Sequence, residues 1–98
     1  MISPRIRIRI KQEMNNEKPT VWIGKYGVTD QLLKEISRQL DRREVVKMRI
    51  LKSALKNDST DNIIQRIVQK TESTLIDKRG NIFVIYKTRK RKKPLKAT

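Results

Sequence analysis

Gly24-Lys25-Tyr26-Gly27 sets two glycines three residues apart around a lysine and a tyrosine. A short apolar run, Thr20 to Ile23, leads into it, and Thr29 opens an amphipathic pattern just after it. Thr29 suits a helix N-cap, and Asp30 suits the positive end of a helix dipole. The chemistry of such a turn is anion capture. A helix N-terminus carries unpaired N–H donors and partial positive charge, and phosphate is its usual guest. Glycine lets a phosphodiester approach the main chain without a Cβ in the way. Lys25 is placed to meet phosphate, while Tyr26 either stacks on a base or covers the loop. The same spacing also occurs in plain strand-to-helix turns, so the motif takes its weight from its surroundings.

Those surroundings are basic. The 98 residues hold 25 Lys and Arg against 10 Asp and Glu, a net charge of +15. Residues 1–11 carry Arg5, Arg7, Arg9 and Lys11 and no acid; residues 87–98 carry seven bases, among them Arg89, Lys90 and Arg91, and no acid. The two ends thus hold 11 of the 15 net charges, and the middle resembles an ordinary folded domain. Basic arms of this kind bind polyanions, with a steep dependence on salt. Lys34 and Arg38, four apart after the loop, extend its positive field or form a solvated face balanced by Glu35; Arg42 and Arg43 continue the line.

Composition excludes several chemistries. There is no His and no Cys, so disulfides, thiolate chemistry and the commonest general base are missing. Asp30, Glu35, Asp41 and Glu44 are spread around one helix and its exit, not converged as hydrolytic metal sites require. No catalytic residue, cofactor or metal is expected. No apolar run approaches the ~18 residues that span a bilayer, and no signal-like h-region follows Met1. The expected setting is the cytoplasm, with no membrane partner.

The elements that must position the loop follow from periodicity. Arg5 to Ile10 alternates like a strand, yet Ile6, Ile10 and Met14 share a helix face, with Pro4 and Ser3 suited to a helix start. Asn15 to Pro19 reads as a loop. Thr20 to Ile23 is a buried strand with Trp22 expected in the core. Leu32, Leu33, Ile36 and Leu40 form a helical stripe ending near Arg43. Val46, Met48 and Ile50 face inward from a second strand; Lys47 and Arg49 face the other way, either solvated or turned to a polyanion. Strand, helix and strand make a βαβ unit with parallel strands. Lys52 to Asp58 reads as a polar loop. Ser59 or Thr60 caps a helix with Ile63, Ile64, Ile67 and Val68 inward. Leu75 and Ile76 begin a short strand, Lys78 to Asn81 turn, and Ile82 to Tyr86 form a central strand with Tyr86 in the core, its hydroxyl at the sheet end. Residues 1–87 form one domain, and residues 88–98 a basic tail expected to be disordered.

Together these residues resemble the CRM domain, named for chloroplast RNA splicing and ribosome maturation. The matching segments are Lys18-Pro19-Thr20-Val21-Trp22-Ile23-Gly24-Lys25-Tyr26-Gly27-Val28-Thr29, then Leu33, Glu35 and Ile36, then Glu44-Val45-Val46-Lys47-Met48-Arg49-Ile50, then Gly80-Asn81-Ile82-Phe83-Val84-Ile85-Tyr86-Lys87. They span residues 4–87, as in a stand-alone, single-domain prokaryotic member. The resemblance implies an α/β fold of order α-β-α-β-α-β-β, a sandwich with a four-stranded mixed sheet, similar to the C-terminal domain of translation initiation factor three. It implies that the first segment is helical. It also implies RNA binding by the loop and adjoining basic surface, with precursors of the large ribosomal subunit as the associated particle. Ala54 and Leu55 depart from the polar stretch expected there.

The leading expectation is a non-catalytic RNA-binding protein acting on large-subunit ribosomal RNA, as a monomer rather than a dimer. Its candidate contacts are Gly24, Lys25, Tyr26, Gly27, Thr29, Lys34, Arg38, Arg42, Lys47, Arg49, Arg89, Lys90 and Arg91. The alternative is an Alba-like architectural chromatin protein, similar in size and charge, which coats duplex DNA as a dimer and whose opening strand and loop Val21 to Lys25 resemble. Competition of structured RNA against duplex DNA separates the two.

Overall fold

The structure, a computed structural model, describes residues 3–88. The expected disordered tail, with Arg89, Lys90 and Arg91, lies outside the described residues. Along the chain run α1 (Pro4–Met14), β1 (Val21–Ile23), α2 (Asp30–Arg43), β2 (Val45–Ile50), a 3-10 turn (Lys52–Lys56), α3 (Thr60–Thr71), β3 (Thr74–Arg79) and β4 (Ile82–Tyr86). The strands form one mixed sheet in the order β1-β2-β4-β3. β1 is parallel to β2, and the other two pairings are antiparallel. β4 is interior, as its apolar run requires.

Strand alternation sorts residues between the two faces. Val21, Ile23, Val46, Met48, Phe83 and Ile85 share a core with Ile36 and Leu40 of α2 and Ile63 and Ile67 of α3. Each such side chain contributes about 1.5–3 kcal/mol by leaving water. α2 and α3 are capped as their sequences suggest: Thr29 accepts from Leu32 N–H and Ser59 from Asn62 N–H, both at 3.1 Å. Both helices stop on a glutamate with left-handed backbone, Glu44 (φ 66°) and Glu72 (φ 55°), where glycine is the usual residue.

α1 covers the other face. It is a helix despite the strand-like Arg/Ile alternation because its start is well made: Ser3 accepts from Ile6 N–H at 3.2 Å, and Pro4 occupies the first turn, where no donor is needed. Its apolar grip is slight. Ile10 alone is buried, against Ile76 and Val84, while Ile6 and Ile8 are exposed. Leu75 pairs with Ile85 and Asp77 with Val84, leaving Ile76 as the extra residue of a bulge; the bulge lets Ile76 join Ile10 and Val84 beneath α1. Two cations complete the attachment. Arg7 Nη1 donates to the carbonyls of Leu75 (2.8 Å) and Ile76 (3.3 Å). Lys47 Nζ donates to the carbonyls of Met14 and Glu17, both at 2.7 Å, closing the C-terminal end of α1.

Three expectations are corrected. Trp22 is not a core residue: it is 54% exposed, because Val21 and Ile23 take the core side and α1 does not extend over β1. Residues 52–56 form a 3-10 turn instead of an open loop, because Ala54 is buried and Leu55 packs against the core. The last turn is tighter than expected, since Lys78 and Arg79 belong to β3 and only Gly80 and Asn81 join the strands. Gly80 has φ 59°, as the first central position of a type II′ hairpin turn demands. Tyr86, half-buried, packs beside Val84, and its hydroxyl meets Thr88 Oγ1 at 3.3 Å.

Lys47→Met keeps the stem and removes the ammonium. Loss of its bonds to Met14 and Glu17 should cost about 1–3 kcal/mol, the worth of a charged hydrogen bond. Urea unfolding measures this, and an unchanged midpoint would show that α1 is held by other means.

Candidate nucleic-acid interface

The Gly24–Gly27 segment is a closed β-turn. Gly27 N–H donates to Gly24 O at 2.9 Å, which leaves Lys25 and Tyr26 at the two corners. Gly27 has φ +67°, a conformation other residues reach at a cost. A Cβ at Gly24 would lie 4.0 Å from Ser53 Oγ, so the turn rests near the 3-10 turn. Its base is fixed on β2, where Leu51 N–H donates to Ile23 O at 2.9 Å. The turn stands at the carboxyl end of the parallel pair, where α/β sheets place ligand-binding crevices. Tyr26 is 79% exposed, with Lys25 Nζ 5.2 Å from its ring centroid. This pair offers a cation and a free aromatic face side by side.

α2 leads away from the turn. Lys34, Arg38 and Arg42 lie on it at four-residue spacing and are exposed, a stripe of about 12 Å at the helical rise. The stripe is not purely basic. Arg38 forms a two-pronged pair with Glu35, with Nη2 2.9 Å from each carboxylate oxygen. Gln39 Nε2 donates to the same carboxylate at 2.9 Å. These bonds, Gln39's first and Arg38's second, hold the Glu35 carboxyl below the usual carboxylate value. Its negative form is therefore favoured at neutral pH, and what it lends is lost only as pH falls through the lowered value.

The expected site residues do not all converge. Gly24, Lys25, Tyr26, Gly27 and Thr29 share the turn and helix start, and Lys34, Arg38 and Arg42 follow on α2. Lys47 and Arg49 lie on the other face of the sheet. Lys47 is engaged with α1, whereas Arg49 is exposed beside Trp22. Two exposed lysines outside the expected set, Lys52 and Lys56, ride on the 3-10 turn near Gly24. Their signal in the sequence was Ala54 and Leu55, apolar residues that anchor an otherwise polar stretch. Among the described residues, no three His, Cys, Asp or Glu side chains could hold a metal ion, and no helix is long and apolar enough to cross a membrane.

A closed turn carrying Lys25 and Tyr26 at the end of a parallel strand pair, on a three-helix mixed-sheet domain, defines a small α/β module. The chain belongs to the CRS1/YhbY (CRM) domain family, which it matches over residues 2–87. It is 25% identical over 95 residues to a Bacillus subtilis protein named "Probable RNA-binding protein YqeI", covering 97% of both chains. It is 23% identical over 88 residues to "Probable RNA-binding protein MJ0652" of Methanocaldococcus jannaschii, covering 90% of this chain and 65% of that one. It is also similar to the solution structure of SAV1595 from Staphylococcus aureus, described as a candidate RNA-binding protein. The TM-score is 0.73 at 25% identity, over 95% of each chain.

The two glycines should respond differently to alanine. Gly27→Ala forces a Cβ onto a left-handed backbone and should cost about 1–2 kcal/mol in chemical denaturation. Gly24→Ala makes only ordinary contact and should leave stability unchanged. Equal losses at both would contradict a left-handed backbone confined to Gly27. Glu35→Gln removes the carboxylate that pairs with Arg38. It should tighten binding to a polyanion such as heparin and steepen the salt dependence, and weaker retention on a heparin column would count against an exposed basic stripe.

Proposed function

We propose that this protein is a non-catalytic RNA-binding module that docks large-subunit ribosomal RNA, or its precursor, during subunit assembly. The observation that carries the reading is the closed Gly24–Gly27 turn, which holds Lys25 and Tyr26 outward at the positive end of α2. Phosphates approach Lys25 and the glycine backbone, and Thr29 fixes the helix start behind them. Lys34, Arg38 and Arg42 then offer a track for the backbone along α2, with Lys52 and Lys56 flanking the turn. The names of the relatives support the RNA, and the family resemblance supports the ribosomal particle. Phosphate contacts fix position and carry no base identity, so the turn determines where RNA docks rather than which sequence is read. Lys47, already occupied by two carbonyls, holds α1 in this reading and is not an RNA contact.

Lys25→Glu in the full chain should weaken binding to ribosomal RNA fragments about tenfold, or ~1.4 kcal/mol, and flatten the salt dependence. Filter binding across a salt series measures both. Unchanged affinity and slope would remove the turn from the interface. Crosslinking in cells followed by sequencing should recover large-subunit ribosomal RNA, and recovery of other RNA would overturn the assignment of the particle.

A further inference from the structure

The face of the sheet that carries α1 is only partly covered. Register places Trp22 beside Arg49, Arg49 beside Ile82, and Ile82 beside Arg79. These four residues form one row across all four strands, about 14 Å long at the usual strand spacing. Directly paired residues share a face, and Phe83, the neighbour of Ile82, belongs to the core on the other side. The next row inward, with Lys47, Val84 and Asp77, lies under α1 or against its end. The row of Trp22 lies at the end of the sheet that carries the Gly24–Gly27 turn and the Gly80-Asn81 hairpin turn, where Ile50 N–H donates to Asn81 O at 2.7 Å.

The chemistry of the row is specific. Trp22 is 54% exposed. Arg49 is exposed and forms no ion pair among the described residues. Arg79 is exposed and shares Asp77 with Lys11, at 3.2 and 4.0 Å, so two cations meet one acid. Ile82, half-buried between the arginines, gives an apolar floor. An indole on an open sheet with guanidinium groups beside it suits an unpaired base stacked on the ring and phosphates on the cations. A duplex keeps its bases stacked inside and offers nothing to the indole.

We infer that Trp22 and its row form a second wall of the RNA site, which holds an unpaired nucleotide of single-stranded RNA by stacking on Trp22, with Arg49 and Arg79 on the flanking phosphates. RNA docked on the turn then continues around the β1 edge onto this face. The inference rests on the RNA-binding reading above, and the partner it selects is a single-stranded segment.

Trp22 is the single tryptophan of the chain, so its emission reports on the site directly. The full-length protein is titrated with an unpaired RNA oligonucleotide and with an RNA duplex of equal length. The unpaired RNA should quench Trp22 emission. Trp22→Ala should weaken that binding about five- to a hundredfold, the worth of one base–aromatic stack, without changing the salt slope, since no charge is lost. Trp22→Tyr should restore most of it, and duplex affinity should not move. Equal affinity of Trp22→Ala and wild type for unpaired RNA, with no quenching, would overturn the inference while Lys25→Glu still reports on the turn. Wild-type protein that binds neither RNA would instead defeat the RNA-binding reading and this inference with it. Emission that changes with protein concentration alone would assign the face to a second copy of the chain, which also overturns it.

Discussion

Val21, Trp22 and Ile23 run parallel to Met48, Arg49 and Ile50, and a parallel pair cannot be closed by a hairpin. The chain must leave β1 at its carboxyl end, cross back over the sheet as a helix, and re-enter beside itself. That constraint creates α2, buries Ile36 and Leu40, and puts a turn where β1 stops. The turn must reverse the chain in few residues, which is why Gly27 takes a positive φ and Gly27 N–H closes on Gly24 O. The bond from Leu51 N–H to Ile23 O then fixes the base of the turn to β2. Lys25 and Tyr26 are thereby displayed at the corners of a turn tied to β2 by backbone hydrogen bonds.

What could be read from the sequence was what local chemistry decides. Thr29 and Ser59 cap α2 and α3, since each offers a hydroxyl where an orphan N–H needs one, whereas the same signal from Ser3 competes with the strand-like alternation of Arg5 to Ile10. The alternation of Val46, Met48 and Ile50 with Lys47 and Arg49 fixes both faces of β2. What could not be read depends on long-range partners. Trp22 is exposed because of where α1 stops, and nothing near Trp22 encodes that. Lys47 reads from the sequence as solvated or turned to a polyanion, and only the end of α1, more than thirty residues earlier, occupies it. The 3-10 turn at 52–56 needs the core to receive Ala54. The bulge at Ile76 needs Ile10 above it. The Gly24–Gly27 turn was legible as an element, but its neighbours Lys52 and Lys56 come from an element placed by tertiary packing.

The net charge of +15 overstates what the domain presents to a partner. Arg7 and Lys47 are committed to carbonyls beneath α1. Arg38 is shared with Glu35, Lys78 with Asp61 and Arg66 with Asp58. These exposed pairs are worth little for stability, yet each mutes a charge at short range. The cations at the turn differ: Lys25 sits against an aromatic ring, not a carboxylate, and Lys52 and Lys56 make no ion pair among the described residues.

Geometry separates the Gly24–Gly27 turn from the point where the last strand ends. β2 and β4 are antiparallel, so β4 starts at the end that carries the Gly24–Gly27 turn and finishes at Tyr86 beside Val45. Lys87 N–H is bonded to Glu44 O, at the C-cap of α2. The chain therefore leaves the domain one strand length, roughly 16 Å, from the turn. α2 spans the same two ends, and its Lys34, Arg38 and Arg42 lie between them. The turn is fixed by backbone hydrogen bonds at one end of α2, and the last described strand ends at the other.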